Sequence, residues 1–325
     1  MSYISELNDK YILEEFEIYP NITESVLRLE VTNICNHRCI FCPHVLQKRK
    51  PAHIDDKLAK RIILEAAKLG VKKVALFLNG EPFLNKNLIE YISFCKKNNY
   101  EFVFVTTNGT AEPEEYFKAM EAGLDSLKFS INGTSRENYK RVHGCDQYDR
   151  VLDTLVKVKK YRDQHKLECR LLTGCVVTTY VENELETHLK KMRTLTDDLA
   201  FLEIDNFAGY MIEEKKKYGV KIPENIPGYS FPEKKIPCSL INNSINVTSE
   251  GFLTLCCSEA LNMMVVEDLN KISLQEAWFS ERMTKIRSEH KKKQLSNIQC
   301  KRCIENIPYV CSPINDELYL KSVQR

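Results

Sequence analysis

Three cysteines lie close together near the start of the chain, Cys35, Cys39 and Cys42, in the spacing C-x3-C-x2-C. Three thiolates so close in sequence can hold three corners of a four-iron cluster, and the fourth iron is then left without a nearby protein ligand. Such an open iron can bind and reduce a small molecule. The alternative is a structural zinc site with His37 or His44 as a fourth ligand, although zinc sites usually present four ligands in one compact unit.

The cysteine loop follows a strand-like segment and carries the aromatic Phe41 between its last two cysteines. In these respects it resembles the signature of the radical S-adenosylmethionine (SAM) enzymes. The resemblance implies a [4Fe–4S] cluster whose open iron chelates the methionine end of SAM. It also implies that the reduced cluster splits SAM into methionine and a 5′-deoxyadenosyl radical. We therefore expect SAM and this cluster as cofactors, with Phe41 among the residues of the SAM site.

The chain around the cysteine loop alternates between strand-like and helix-like segments. Alternating apolar residues predict a first strand over Val26–Thr32, and helical spacing predicts a first helix over Asp56–Leu69. Later strands are predicted at Val74–Leu78, Phe102–Thr106, Ser126–Ile131, Cys169–Thr178 and Leu199–Ile204. Later helices are predicted at Asn85–Asn98, Glu114–Ala122, Tyr148–His165 and Glu184–Leu195. Strands that alternate with helices predict a parallel sheet with helices packed outside it.

Right-handed crossovers would curl six such units into an incomplete barrel, with the chemistry at the carboxyl ends of the strands. The expected fold class is therefore α/β, an incomplete (β/α)6 barrel of the radical SAM type with a small C-terminal iron–sulfur domain. The expected parts are an N-terminal extension over 1–24, the partial barrel over 25–207, a linker or lid over 208–236, an auxiliary-cluster domain over 237–311 and a tail over 312–325. In the auxiliary-cluster domain, a hairpin is predicted at Ser244–Thr248 and Phe252–Cys256, and a helix over Ser273–Lys293.

Asn79, Gly80 and Glu81 follow the second predicted strand. The radical SAM family usually carries Gly-Gly-Glu at this place, and the resemblance implies that the segment binds the amino group of SAM. A glycine lets the backbone approach a ligand closely, and a carboxylate such as that of Glu81 accepts a hydrogen bond from an ammonium. Asn79 departs from the family pattern. Taken without its context, the segment equally fits an Asn-Gly turn with a surface acid.

Further positions near the ends of the predicted strands resemble SAM-binding positions of the family. They are Thr107 and Asn108, Ser130 and Asn132, and Val176 and Thr178. Ser130 and Asn132 share one side of a strand at period two, and in related enzymes such residues bind the ribose or carboxylate of SAM. The adenine of SAM usually rests near the fifth strand, where Val176 and Thr178 lie. Arg141 resembles the arginine that clamps the SAM carboxylate, because a guanidinium can bond a carboxylate through two hydrogen bonds at once. Turns at strand ends and a surface charge on a helix are the alternatives.

A second set of cysteines lies in the last third of the chain. Cys238 and Cys256 belong to a C-x12-G-x4-C pattern, and Cys300 and Cys303 form C-x2-C. This set resembles the twitch domain, a shortened form of the SPASM domain, which holds one auxiliary [4Fe–4S] cluster with four cysteines. A full SPASM domain holds two clusters and needs more cysteines after Cys303, where only Cys311 remains, so we expect one auxiliary cluster. Zinc is the rival, since four-cysteine zinc sites are common structural staples.

A cluster with four cysteine ligands cannot bind substrate at iron, so we expect the auxiliary cluster to accept or deliver an electron. This role suits a dehydrogenase acting on a small molecule such as a sugar, an aminocyclitol or a similar alcohol, with an external electron donor such as flavodoxin or ferredoxin. The alternatives are an epimerase, a peptide-modifying maturase and a non-enzymatic iron–sulfur electron-transfer or scaffold protein. Cys257 and Cys311 are the candidate hydrogen donors of an epimerase. Otherwise Cys257 is a small buried residue and Cys311 a spare thiol.

The composition limits the partners of the chain. A formal charge of +2 gives no argument for nucleic acid or an anionic membrane as a partner. No apolar stretch approaches the length of a membrane span, and the N-terminus lacks the basic and apolar regions of a signal peptide. Thirteen cysteines in such a chain indicate metal or redox chemistry in a reducing compartment, so we expect a cytoplasmic enzyme. Among the histidines, His165 and His188 are expected to face solvent, and His143 is a candidate for substrate contact.

Overall fold

A computed structural model of the chain describes residues 16–223 and 236–323, together with Ile226 and a short strand at Gly228–Tyr229. Most of the expected N-terminal extension, part of the expected linker and the end of the expected tail lie outside the described residues. The domain boundaries therefore stay predictions.

Within the described residues, ten strands form one mixed sheet in the order β10-β9-β8-β1-β2-β3-β4-β5-β6-β7. Their bounds are β1 Val26–Leu29, β2 Lys73–Ala75, β3 Phe102–Thr107, β4 Ser126–Ser130, β5 Arg170–Val176, β6 Asp198–Leu202, β7 Gly228–Tyr229, β8 Ser244–Val247, β9 Phe252–Thr254 and β10 Val265–Asp268. Strands β1 to β7 run parallel to one another and the sheet is not closed. The six predicted barrel strands are β1 to β6, and the expected parallel α/β sheet is confirmed.

The described residues contain twelve α-helices, several of which connect the strands of the sheet. They are α1 Asp56–Lys68, α2 Leu88–Lys97, α3 Pro113–Glu121, α4 Arg136–His143, α5 Tyr148–His165, α6 Leu185–Arg193, α7 Ile212–Tyr218, α8 Leu240–Asn243, α9 Leu274–Trp278, α10 Glu281–Lys291, α11 Ile298–Glu305 and α12 Asp316–Ser322. The predicted barrel helices correspond to α1, α2, α3, α5 and α6 and are confirmed. The prediction of one helix over Ser273–Lys293 is wrong, because α9 ends at Trp278 and the Ser280 side chain caps a new helix by accepting a hydrogen bond from Met283 N.

The two faces of the sheet differ in what they contact. In β4, Leu127 and Phe129 are buried in the core that packs against the helices, whereas Lys128 and Ser130 are half-buried. Because side chains alternate across a strand, Lys128 and Ser130 point to the opposite, inner face. The inner face is the concave side of the incomplete barrel, which we call the lumen.

The C-terminal strands continue the sheet of the barrel. Strand β8 pairs in parallel with β1, with Val26 opposite Ser244 and Leu29 opposite Val247. Strand β9 then pairs antiparallel with β8, so the predicted hairpin is confirmed. Neighbouring strands lie about 4.8 Å apart, so this pairing places the segment between Cys238 and Cys256 beside the strand that leads into the N-terminal cysteine loop. In the part of the chain described here, no helix is long and apolar enough to cross a membrane.

The two histidines that are expected to face solvent differ in their exposure. His165 is exposed and its Nδ1 lies 2.9 Å from the carbonyl oxygen of Tyr161, which agrees with the prediction. The prediction for His188 is wrong, because its side chain is buried on the inner side of α6, with its ring 6.0 Å from that of Phe201. A helix pattern indicates which face is apolar, but a single histidine on that face is easily assigned to the wrong side.

Candidate active site and auxiliary cluster site

The loop after β1 carries the three N-terminal cysteines and is held from two sides. Arg38 N donates a hydrogen bond to His143 O at 3.0 Å, which ties the loop to the end of α4. The Asn108 side-chain amide donates to Asn36 Oδ1 at 2.6 Å, which ties it to the end of β3. All three cysteines remain partly exposed. The loop is therefore fixed in place while its thiols stay reachable.

The three thiols of this loop do not converge on one point. In the described residues, metal-ligating side chains gather within 4.8 Å of one another at His37, Cys39 and His143, and this group contains neither Cys35 nor Cys42. A single zinc ion needs all its ligands about 2.0–2.3 Å from the metal, so the spread of the cysteines fits a multi-iron cluster better. Burial raises the pKa of the Cys35 thiol to about 12, and metal binding must therefore displace protons from the loop.

His143 makes contacts that the sequence did not indicate. It is buried under the cysteine loop, and its Nε2 accepts a hydrogen bond from the Asn132 amide at 3.0 Å. In a neutral imidazole the proton then resides on Nδ1, which lies 3.4 Å from Cys39 Sγ and 3.3 Å from His37 Nδ1. Burial, with a smaller contribution from His37, holds the pKa of His143 well below its usual range, which keeps the ring neutral. The Nδ1 proton of His143 thus has two possible acceptors, Cys39 Sγ and His37 Nδ1, and contact of His143 with substrate stays a prediction.

The Glu81 carboxylate is buried among hydrogen-bond donors. Oε2 accepts from Asn108 N at 2.6 Å, and Oε1 accepts from Thr107 Oγ1 at 2.8 Å and from Phe83 N at 3.1 Å. Burial outweighs these bonds and raises the pKa of Glu81 to about 7. The Glu81 amide donates to Ile34 O at 2.8 Å, next to the first cysteine of the loop. The alternative of a surface acid is excluded, because Glu81 is 3% exposed.

The two residues before Glu81 each have a specific local role. Gly80 has a φ of +91°, and a Cβ atom there would lie 2.5 Å from Thr32 O, so this position requires glycine. The Asn79 side chain donates to Glu259 O at 2.9 Å, and the Asn79 amide donates to Glu30 Oε1 at 3.2 Å. Asn79, which stands where the family usually has glycine, therefore links the SAM-type motif to the loop that follows Cys256.

The other predicted SAM positions lie around the ends of β4 and β5. Asn132 Oδ1 accepts a hydrogen bond from Val176 N at 2.7 Å, which joins the ends of the two strands. Ser130 is half-buried on the inner face and Thr178 is buried. Phe41 is buried in a small apolar cluster against which Val176 also packs. The structure thus brings these positions to the same edge of the sheet as the cysteine loop.

Arg141 lies at the rim of this region, on α4. Its side chain is 54% exposed and pairs with Glu137 one helical turn earlier. Its guanidinium carbon lies 5.6 Å from the ring centre of Tyr180, which packs against the Phe41 cluster. The role of Arg141 as a carboxylate clamp stays a prediction.

The four predicted auxiliary-cluster cysteines line a single cavity in the C-terminal region. Cys238, Cys256, Cys300 and Cys303 surround it together with apolar side chains such as that of Met264. Four thiols around one apolar cavity are the donor set that a fully ligated iron–sulfur cluster requires. The residues present therefore fit such a cluster.

Local structure explains how two of these thiols come together. Cys300 and Cys303 are three residues apart on α11, and residues at this spacing share one face of a helix. Asn297, which caps α11, also donates from its side chain to Cys300 Sγ at 3.3 Å. Ser258 N donates to Cys256 Sγ at 3.3 Å after β9. The sulfurs of Cys256 and Cys300 thus each have a hydrogen-bond donor that stabilises a thiolate.

The two candidate hydrogen donors lie near this cavity in the sequence. Cys257 follows a predicted ligand directly and is partly buried. Cys311 is also partly buried, and its Sγ lies 3.4 Å from Tyr309 O and 3.9 Å from Arg302 Nη1. Their role as donors stays a prediction, as do the individual ligand roles of the other cysteines.

Solved structures with the same architecture share little sequence with this chain and show the fold. The crystal structure of BtrN in complex with AdoMet and 2-DOIA matches over 88% of this chain and 98% of its own, with a TM-score of 0.57 and 18% identity. Streptococcus suis SuiB bound to precursor peptide SuiA matches over 93% of this chain and 72% of its own, with a TM-score of 0.63 and 16% identity. Native anSMEcpe with bound AdoMet matches over 91% and 94%, with a TM-score of 0.59 and 16% identity.

Curated relatives match over a shorter length at higher identity. A probable GTP 3′,8-cyclase of Saccharolobus islandicus strain M.14.25 is 36% identical over 131 residues, which are 39% of this chain and 41% of the relative. A probable GTP 3′,8-cyclase of Thermococcus kodakarensis is 30% identical over 149 residues, which are 46% of this chain and 48% of the relative. The chain thus spans less than half the length of these relatives.

Two family models match the regions that carry the cysteine sets. The Radical SAM superfamily matches residues 29–192, half of the chain, and the iron-sulfur cluster-binding domain SPASM matches residues 238–304. The first range contains the N-terminal cysteine loop and the second contains the four cysteines of the C-terminal cavity. The chain therefore belongs to the radical SAM superfamily, with SAM and two [4Fe–4S] clusters as its cofactors and a C-terminal iron–sulfur cluster-binding domain.

Proposed function

We propose that this enzyme is an oxidoreductase of the dehydrogenase type, which oxidises a carbinol carbon of a small substrate such as a sugar, an aminocyclitol or a similar alcohol. The observation that carries the proposal is the cavity lined by all four C-terminal cysteines, since full thiolate ligation leaves no iron open to substrate and favours electron transfer. BtrN, which has the same architecture over nearly its whole length, was solved with AdoMet and 2-DOIA. The same architecture in SuiB, solved with a precursor peptide, means that the fold alone does not choose between a small alcohol and a peptide.

The proposed reaction divides between the two cysteine sets. When bound, the core cluster and SAM supply the 5′-deoxyadenosyl radical that takes one hydrogen atom from the carbinol carbon and leaves as 5′-deoxyadenosine. Loss of the hydroxyl proton and of one electron then completes the carbonyl. Cys35, Cys39 and Cys42 would hold the core cluster, and the four C-terminal cysteines would hold the group that takes the electron.

The SAM ammonium has a defined acceptor in this proposal. Each carboxylate oxygen can accept two hydrogen bonds, and Glu81 Oε2 already accepts one from Asn108 N. Its second lone pair is the position for the ammonium. The cysteine loop lies alongside, since the Glu81 amide is bonded to Ile34 O.

Glu81→Gln is expected to weaken SAM binding about tenfold to hundredfold, because it removes a charge-assisted hydrogen bond of about 1.5–3 kcal/mol. In the wild type, SAM affinity should also fall as the pH drops below about 7, where Glu81 becomes protonated in the SAM-free protein. The sign follows from the raised pKa, since only the ionised carboxylate attracts an ammonium. Equilibrium dialysis with the cluster-loaded protein across this pH range measures both effects. The control is Glu101→Gln, a change of an exposed acid. If the wild type, Glu81→Gln and Glu101→Gln bind SAM with equal affinity, Glu81 does not belong to the SAM pocket.

His143→Leu is expected to lower the reduction potential of the core cluster. A donor to a ligand sulfur favours the more negative, reduced state, and the loss of one hydrogen bond of about 1 kcal/mol corresponds to roughly 40 mV for one electron. Redox titration followed by electron paramagnetic resonance gives the potential. The matched control is His188→Leu, which removes a buried histidine on α6. An unchanged potential, or a loss of core iron, would contradict a role as hydrogen-bond donor.

An epimerase is the second candidate, because Cys257 and Cys311 are partly exposed thiols next to the auxiliary region. An epimerase returns a hydrogen atom from a thiol, so its product keeps the oxidation state of the substrate. The reaction in deuterated water separates the two candidates. Oxidised product without solvent deuterium supports the dehydrogenase, and deuterium at a carbon of an unoxidised product would overturn it.

The proposal includes an external electron donor such as flavodoxin or ferredoxin for the core cluster, and a reducing compartment such as the cytoplasm. The thirteen cysteines of the chain suit metal or redox chemistry in such a compartment.

A further inference from the structure

Lys128 is a charged residue in the middle of a central strand. It lies in β4, between Leu127 and Phe129, which are buried in the core on the helix side of the sheet. Strand β4 is paired on both sides, by β3 and β5. The lysine therefore cannot reach solvent around an edge, and its side chain enters the lumen.

The Lys128 side chain runs toward the carboxyl end of the barrel. In the pairing of β4 with β5, Lys128 is opposite Leu172 and Ser130 is opposite Gly174. A Cβ atom at Gly174 would nevertheless lie 3.5 Å from Lys128 Cδ and 3.8 Å from Cε. The stem thus leans over the backbone of Gly174, one inner-face position further along. At these distances a Cβ atom at Gly174 would be in ordinary van der Waals contact with the stem.

A second cation, Arg28, lies close enough to Lys128 to act on its charge. Arg28, on the inner face of β1, donates from Nε to Ser244 Oγ at 3.2 Å. Burial, and then the charge of Arg28, lower the pKa of Lys128 to about 8. Among the residues that the structure describes, Lys128 Nζ has no acid within ion-pair distance and no hydrogen-bond acceptor. An ammonium held in this way is unfavourable unless an anion joins it.

We propose that Lys128 binds an anionic group of the substrate, a carboxylate or a phosphate, inside the lumen. This deepens the proposed function and rests on it for the identity of the reaction, because it adds that the oxidised alcohol carries a negative charge. The chemistry follows from the surroundings, in which two cations share the lumen and Lys128 lacks a counter-charge from the described chain. A neutral sugar would leave that ammonium without a partner.

The position of Lys128 also orients the substrate. Ser130, a predicted SAM position, is two residues further along the same face, and this step spans about 6.6 Å. The stem of Lys128 covers this step, because it leans over Gly174, the partner of Ser130, so an anion on Lys128 lies at about the level of Ser130. The rest of the substrate then extends toward the strand ends, where its carbinol carbon meets the SAM site.

The test uses the enzyme loaded with both clusters and SAM, without turnover. Isothermal titration calorimetry with inorganic phosphate, and separately with acetate, in a constant excess of potassium chloride measures anion binding. The variants are Lys128→Met, which keeps the stem without the charge, and Lys96→Met, a matched control on α2 whose ammonium pairs with Asp125 outside the lumen. The wild type and Lys96→Met are expected to bind at least one of the anions equally well, and Lys128→Met about tenfold or more weakly. The phosphate and acetate arms show which group the site prefers.

Three calorimetric results would overturn the proposal. In the first, neither anion binds to the wild type. In the second, Lys128→Met binds the anions as tightly as the wild type does. In the third, Lys96→Met binds them as weakly as Lys128→Met, which would mean that binding depends only on the net charge of the protein. Thermal unfolding in potassium chloride gives an independent check. Lys128→Met should unfold at the wild-type temperature or above it, because an unpaired, half-buried charge is removed, and a lower temperature would assign Lys128 to the fold instead. Anion binding is measured without oxidation, so a failed dehydrogenase assay leaves this result intact.

Discussion

An enzyme without its auxiliary cluster is expected to keep cleaving SAM and to stop oxidising its substrate. The double variant Cys300→Ala and Cys303→Ala removes two of the four thiols that line the C-terminal cavity. In the proposed function SAM cleavage belongs to the loop after β1, which is held by α4 and the end of β3. If the proposal holds, the carbonyl product is not expected to form in this variant, because the electron that must leave the substrate has no acceptor.

The measurement combines metal analysis with two product assays. Iron should fall from about eight to about four atoms per chain, as expected for two four-iron clusters. With SAM and a reductant, 5′-deoxyadenosine should continue to form while oxidised product falls below detection. Cys145→Ala is the matched control, since Cys145 is another partly buried thiol and has no proposed ligand role. Oxidised product at the wild-type level in the double variant would rule out the acceptor role.

A further outcome would indicate a structural role for the auxiliary cluster. Strand β8 pairs directly with β1, and a metal site can supply folding free energy to the region around it. If the double variant also lost 5′-deoxyadenosine formation, the auxiliary cluster would be needed to hold β1 and the cysteine loop. SAM binding to the variant, measured separately, distinguishes this outcome from a lost electron acceptor.

The barrel could be predicted because its elements carry strong periodic patterns. Helix α1 buries Leu58, Ile62 and Ala66 on one face, and such spacing is visible in the sequence. Helix α4 was missed because it is short and rich in charge, although its boundaries are marked. The Ser135 side chain caps its start, and Gly144 ends it with a φ of 70°. Capping signals alone could have located it.

The candidate site could be predicted where its residues are close in sequence. The cysteine loop and the segment Asn79–Glu81 are local motifs, so their resemblance to the family pattern is visible in the sequence. The contact of His143 with Cys39 spans 104 residues, and that of Asn79 with Glu259 spans 180. Such contacts depend on how the strands and loops pack, which no local pattern encodes. Lys128 was visible as a charge within an apolar strand, a signal that points to an inner face only once the sheet is known to curl.

Replacing the three cysteines of the loop by alanine is expected to abolish SAM cleavage. The variant Cys35→Ala, Cys39→Ala and Cys42→Ala removes every thiol that can hold the core cluster, whereas the four C-terminal cysteines are untouched. Iron should fall to about half of the wild-type content, and no 5′-deoxyadenosine should form at any reductant concentration. Calorimetry with SAM should show weakened binding, because the open iron is one of its anchors.

His44 provides the control that separates the cluster from the zinc alternative. In that alternative His44 is a fourth ligand, but in the structure its Nε2 lies 2.9 Å from Asn33 O. His44→Leu is therefore expected to keep the iron content and the cleavage of SAM at close to wild-type values. Zinc in place of iron in the anaerobically prepared wild type, with loss of that zinc in His44→Leu, would contradict the cluster assignment for the loop. The cluster assignment is supported if His44→Leu retains its iron and the triple variant loses part of its iron. The three cysteines are then the protein ligands, and one iron is open for SAM.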